Sequence, residues 1–234
     1  MAEALYDLEN LAQARRLGDW MFAQFEPYVG PRVAEVGPGI GTFSERLLAC
    51  GVEELLLVEP DELCAGELER RFDNDPRVRI VREELPDAPS LATRQGTLDF
   101  VLAQNVLEHV DDDAGAAAAV AAALAPGGGF GVLVPAHPRL FGSLDRAYGH
   151  RRRYTAPALR RVVGSAGLEL VSLRSFNLLG VPGWWLKSRL GSTGLDRRSL
   201  AAYEQLVRVW RPVEERLRPP AGLSLVAIAR KPRA

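Results

Sequence analysis

The sequence predicts an α/β domain in which a parallel sheet is wound with helices on both faces. Three observations carry that prediction. Short apolar runs, each long enough for one buried strand, alternate with segments of helical spacing five times between residues 31 and 135. The first run, Val33-Ala34-Glu35-Val36, passes through Gly37, Gly39 and Gly41 straight into a helix start at Thr42-Phe43-Ser44. The second run, Glu53 to Val58, ends in an acid, Glu59, at the strand tip where open α/β sheets meet their ligands.

At 234 residues the chain is long enough for one large domain that needs no covalent staples. Its formal net charge of −1 provides no field to hold nucleic acid or an anionic membrane. The two cysteines, Cys50 and Cys64, have neither metal-ligand nor framework spacing, so free thiols are expected. The first sixteen residues are charged and lack a leader's apolar stretch, and no apolar run reaches membrane-spanning length, so a soluble, cytoplasmic protein is expected.

Residues 1–30 carry Leu5, Leu8, Leu11, Leu17, Trp20, Met21 and Phe25 at helical spacing and stop at Pro27 and Gly30, which predicts one or two helices before the first strand. Alternate glycines permit positive φ and remove Cβ atoms, so Gly37 to Gly41 reads as a cradle whose amides open the next helix. A dinucleotide turn would place its third glycine at 42, where threonine stands. A helix over about 61–73 leads to a third strand, Val78 to Arg82, followed by Glu83-Glu84. The fourth strand, Thr97 to Ala103, is followed by Gln104-Asn105-Val106-Leu107-Glu108-His109-Val110 and an acidic cluster that starts an alanine-rich helix, with Pro126 and Gly127 as its stop. The fifth, Phe130 to Val134, rises from a triple-glycine turn and ends at Pro135-Ala136-His137-Pro138. Five such units bring Glu35 to Gly41, Glu59, Glu84, Asn105 and His137 to one carboxyl-end rim.

The acid, the alternate glycines and the run from Leu98 to Val110 with its NVLEHV form resemble motifs I and IV of the class I S-adenosylmethionine (SAM) dependent methyltransferases, especially the small-molecule and ubiquinone O-methyltransferases. The resemblance covers residues 31–174. It implies a seven-stranded Rossmann-like sheet with its last strand antiparallel, SAM as cofactor and S-adenosylhomocysteine as product. It assigns cofactor binding to Glu35, Gly37, Gly39, Gly41, Glu59, Glu84 and Asn105. Glu59 would accept both ribose hydroxyls, for which a carboxylate has two oxygens. Glu84 would meet the adenine amine, with Glu83 as the alternative at that place. The proline-tyrosine signature of the DNA amino-methyltransferases is absent after the fourth strand, so no nucleic-acid substrate is expected. Glu108 and His109 read as a hydrogen-bonded structural pair, and no metal is expected.

Beyond the fifth strand, Arg139 to Thr155 is too polar for a core and too long for a connector, and is read as a wall of the acceptor pocket. Its GH-x-RRY segment resembles one in a bacterial methyltransferase group. The resemblance makes His150 the first choice for acceptor-side proton chemistry, with Tyr154 and His137 beside it as further catalytic candidates. Arg151 to Arg153 are read either as solvated or as partners for an anionic acceptor. A helix over 156–166 and a strand over 168–173 follow. Phe176 to Leu186 is then an apolar, aromatic loop, read as pocket lining, dimer contact or membrane-surface contact. Leu200, Tyr203, Val207, Trp210, Val213 and Leu217 form a helical stripe broken or bent near Pro212, before a final strand over 223–230. The domain is thus divided into N-terminal helices 1–30, a core 31–175, a helical cap 176–222 inserted between strands six and seven, and a last strand and tail 223–234. The activity expected is methyl transfer from SAM to a small apolar or anionic acceptor, oxygen ahead of nitrogen or carbon. The alternative is a protein of the same fold that binds SAM or S-adenosylhomocysteine and transfers no methyl, or runs another reaction.

Overall fold

Runs of Val, Leu and Ile with few polar breaks form seven strands among the described residues, the five central ones buried and the two at the sheet edges partly exposed. The computed structural model describes residues 9–194 and 197–233; Leu5 and Leu8 of the N-terminal stripe lie outside the described residues. The strands are β1 (Arg32–Val36), β2 (Glu54–Val58), β3 (Val78–Val81), β4 (Leu98–Gln104), β5 (Leu124–Pro135), β6 (Glu169–Phe176) and β7 (Ser224–Arg230). They form one sheet in the order β3-β2-β1-β4-β5-β7-β6. The pairings among β1 to β5 are parallel, and β7 runs antiparallel between β5 and β6. Chain order reverses between β1 and β4, so the carboxyl ends of those two strands open the crevice in which such sheets bind ligands.

Two apolar layers hold the sheet. One face packs Val101, Val120, Phe130 and Leu159 against helices Asp113–Ala123 and Ala156–Ser165. The other packs Trp20, Phe25, Leu47, Leu57 and Phe100 under helices Arg15–Phe22, Thr42–Ala49 and Arg197–Leu217. Asp112 caps the alanine-rich helix through the Gly115 amide at 2.8 Å, as its acidic start predicts.

Three local expectations are corrected. The alanine-rich helix ends at Ala123, ahead of Pro126, and β5 begins at Leu124, taking in the triple glycine expected as a turn. A side chain at Gly128 would lie 2.8 Å from the Leu98 carbonyl oxygen, so this strand start admits only glycine beside β4. The aromatic loop is in large part a helix, Gly180–Arg189. Pro182 sits in its first turn, where a missing N–H costs no helical hydrogen bond. Helix Arg197–Leu217 runs on through Pro212 without a break. Its packing also departs from a simple cap: Glu204 accepts the amides of Arg16 and Leu17, each at 2.9 Å, which ties this helix to the N-terminal one. Glu214 accepts the amides of Asn177 and Leu178 where β6 ends.

Candidate active site

The rim is marked by unusual backbone. Gly37, Gly39 and Gly41 take φ of +65°, +57° and +83°. Asn105, His137 and Asn177, standing just past β4, β5 and β6, are non-glycine residues at φ of +51°, +58° and +65°. Such conformations cost free energy and persist where the surrounding structure imposes them, commonly at ligand sites. A Cβ on Gly37 would come within 2.6 Å of Val106, so the crevice between β1 and β4 closes only around glycine.

Around the glycine turn the carboxylates are buried and held. Glu35 accepts the Ser44 hydroxyl at 2.6 Å, and burial pushes its carboxyl up to about 7, with the Glu59 charge adding to the rise. Glu59 is 5% exposed; one oxygen accepts the Gly39 amide at 2.9 Å and the other the Asp61 amide at 3.0 Å. Its carboxyl is raised, chiefly by burial. Each oxygen keeps a free lone pair, so both can still accept from a vicinal diol. Glu83 is engaged by the Ser90 amide at 2.9 Å and its hydroxyl at 2.6 Å, whereas Glu84 stands exposed. Asn105 is exposed at the crevice mouth, its amide donating to Leu133 at 2.8 Å.

Across the crevice, the His150 side chain is 9% exposed, with its Nδ1 2.9 Å from an Asp145 oxygen. Arg153, almost fully buried, donates to the same oxygen at 2.7 Å and to the Ala136 carbonyl at 2.9 Å. The hydrogen bond from His150 and the Arg153 charge outweigh burial and hold the Asp145 carboxyl below its ordinary value. Asp145 therefore stays ionised and fixes His150 with a proton on Nδ1, which leaves Nε2 as the basic nitrogen. That nitrogen faces Glu108 at 3.9 Å, beyond hydrogen-bond reach.

Glu108 contradicts the expected hydrogen-bonded pair. It is 0% exposed, and neither carboxyl oxygen has a hydrogen-bond partner. Burial pushes this carboxyl up to about 8, which makes it a neutral acid at physiological pH. His109 turns to the Gly149 backbone and packs edge-on to His150 with ring centroids 5.0 Å apart; burial lowers it to about 4. Single ligand atoms of Glu108, His109 and His150 lie within 4.8 Å of one another, a set of carboxylate and imidazole donors of a kind that also holds divalent cations. The third member comes from a loop far along the chain, which adjacency of Glu108 and His109 could not reveal.

The other two acceptor-side candidates part company. His137 stands exposed at the rim, its amide bonded to Tyr154 and its side chain toward solvent. Tyr154 is 3% exposed, and its hydroxyl reaches the Leu107 carbonyl at 3.0 Å and Asp113 at 2.7 Å. Burial raises that phenol far above its ordinary range, so the hydroxyl stays protonated and anchors the wall to the β4 exit. The three arginines are not solvated as a group: Arg151 pairs with Asp111, Arg152 with Asp113 and Arg153 with Asp145. Sequence reasoning missed Asp145. Its only signal was an acid placed five residues before His150 in a polar loop. A cavity of about 640 Å³ near Leu48, Phe72 and Arg77 gathers none of these groups.

A family model described as a methyltransferase domain matches residues 9–173. No curated protein matches the chain by sequence. Among solved structures, a SAM-dependent methyltransferase from Mesorhizobium loti superposes with a TM-score of 0.62 at 17% identity, covering 90% of this chain and 95% of that one. Geranyl diphosphate methyltransferase in complex with SAM gives 0.63 at 16% identity, over 94% and 84%. The 4+2 cyclase SpnF gives 0.62 at 19% identity, over 94% and 82%.

Proposed function

From the premise that this chain belongs to the methyltransferase-domain family and is a SAM-dependent methyltransferase of class I fold, we propose that it methylates a small-molecule hydroxyl. One observation carries the cofactor half of this reading: a glycine turn that admits no side chain, facing a buried carboxylate with two lone pairs to spare. SAM fits the residues present. In this reading Gly37, Gly39 and Gly41 let the backbone approach, and the amides opening helix Thr42–Ala49 face the ligand. Glu59 takes the ribose hydroxyls, and Glu84, unengaged where Glu83 is not, takes the adenine amine. Glu35, steadied by Ser44, and Asn105 complete the floor and mouth.

When bound, the cofactor supplies an activated methyl on a sulfonium, so the protein has to orient the acceptor, exclude water and take one proton. His150 takes that proton at Nε2, with Asp145 stabilising the imidazolium that results. His137 contacts the acceptor at the rim, and Tyr154 serves by holding the wall. No metal enters this reading, and the product is S-adenosylhomocysteine. The cyclase among the similar folds makes product identity the deciding test. Incubation with methyl-labelled SAM and a panel of phenols, amines and activated carbons should yield a labelled ether; label on nitrogen or carbon, or none with SAM bound, overturns the proposal.

A further inference from the structure

Helix Gly180–Arg189 has two adjacent tryptophans with opposite surroundings. Trp184 turns in: the Arg153 guanidinium lies over its ring at 4.8 Å, and its Nε1 comes 3.4 Å from Asp145. Trp185 turns out and is 48% exposed, with Leu186 at 52% and Leu190 at 76%. A single exposed apolar residue needs no explanation. Here, however, Trp185, Leu186 and Leu190 stand exposed together at the end of one helix.

Cations outnumber acids along the same stretch of sequence. From 170 to 203 the sequence has five cations, Arg174, Lys187, Arg189, Arg197 and Arg198, against one acid, Asp196, in a chain whose net charge is −1. Arg189 packs over Trp185 at 5.7 Å and stays exposed, so an aromatic anchor and a cation share one edge of the helix.

We propose that helix Gly180–Arg189, with Leu190, seats the protein on an anionic lipid surface. Trp185, Leu186 and Leu190 enter the headgroup boundary while Arg189, Arg197 and Arg198 meet lipid phosphates. A second copy of this chain is the poorer occupant, because a two-fold interface sets the same patch against itself and would oppose like charges. Three side chains also cover far less than the roughly 800 Å² per partner of a stable dimer. Trp184, on the inner side of the same helix, joins the lipid-facing edge to the wall that holds His150. The inference does not depend on methyl transfer, and lipid binding reads it out without turnover.

The test is flotation with vesicles of phosphatidylcholine alone and of phosphatidylcholine with an equal part of phosphatidylglycerol. Binding is expected to the anionic vesicles only, to weaken in high salt, and to fall at least about tenfold in Trp185→Ala/Leu186→Ser. SAM affinity and melting temperature of that variant should match wild type, which separates a lost surface from a lost fold. Failure to float with anionic vesicles, or equal flotation of the variant, overturns the proposal. So does a wild-type dimer in light scattering that the double variant converts to monomer.

Discussion

At the proposed cofactor end of the rim, Glu59 is fixed by two backbone amides, whereas the proposed acceptor wall is fixed by side-chain bonds, some local and some from distant segments. Arg153 reaches Asp145 and Ala136, Tyr154 reaches back to Leu107, and Trp184 comes in from the far side of β6. The first arrangement is set by turn geometry and tolerates little change in backbone. The second is a buried polar network, in which each member depends on its partners being satisfied. The difference teaches where each half can be broken without the other.

The largest separation is expected from Gly37→Val. Positive φ and overlap with Val106 would drive the free turn out of its present path, and restoring that path on binding would cost about 3 kcal/mol, a loss of SAM affinity on the order of 100-fold by calorimetry. His150→Ala should do the reverse. Turnover should drop about 100-fold or more, as for loss of a general base, with SAM affinity unchanged. Equal damage to both quantities by either variant would erase the distinction between the two halves.

How legible each half was in the sequence follows the same division. Gly37 to Gly41 and Glu59 were readable because spacing along a strand and its turn dictates where they point. The five strand and helix units were readable for the same reason of period. Helix Gly180–Arg189 was not, since Pro182 and Gly183 speak locally for a loop, and only its packing on the segment 138–147 resolves it. Asp145 and the isolation of Glu108 were hidden too, because a buried charge network is defined by contacts that no spacing encodes. The bonds that engage Glu83 with Ser90 were hidden in the same way.

Two smaller effects sharpen the account of the wall. The Glu108 carboxyl sits near 8 in the folded protein against about 4.5 ordinarily, so its neutral form stabilises the fold at low pH. That contribution is complete below the ordinary value and is lost as pH rises through about 8. Glu108→Gln, which stays neutral, should therefore gain melting temperature over wild type as pH is raised from 5 to 9, by roughly 2–4 °C for each kcal/mol. A pH-independent difference would show that Glu108 is already ionised. Tyr154→Phe removes the bonds to Leu107 and Asp113 and should cost about 1 kcal/mol, again roughly 2–4 °C, with kcat near wild type. A large loss of kcat at unchanged stability would instead return the phenol to the chemistry.

Calorimetric titration of SAM into wild type and Glu59→Ala tests the central claim most directly. One site per chain is expected in wild type, with an affinity at least about tenfold weaker in the variant, since the proposed acceptor of both ribose hydroxyls is gone. No heat of binding in wild type, or identical affinity in the two proteins, would contradict it.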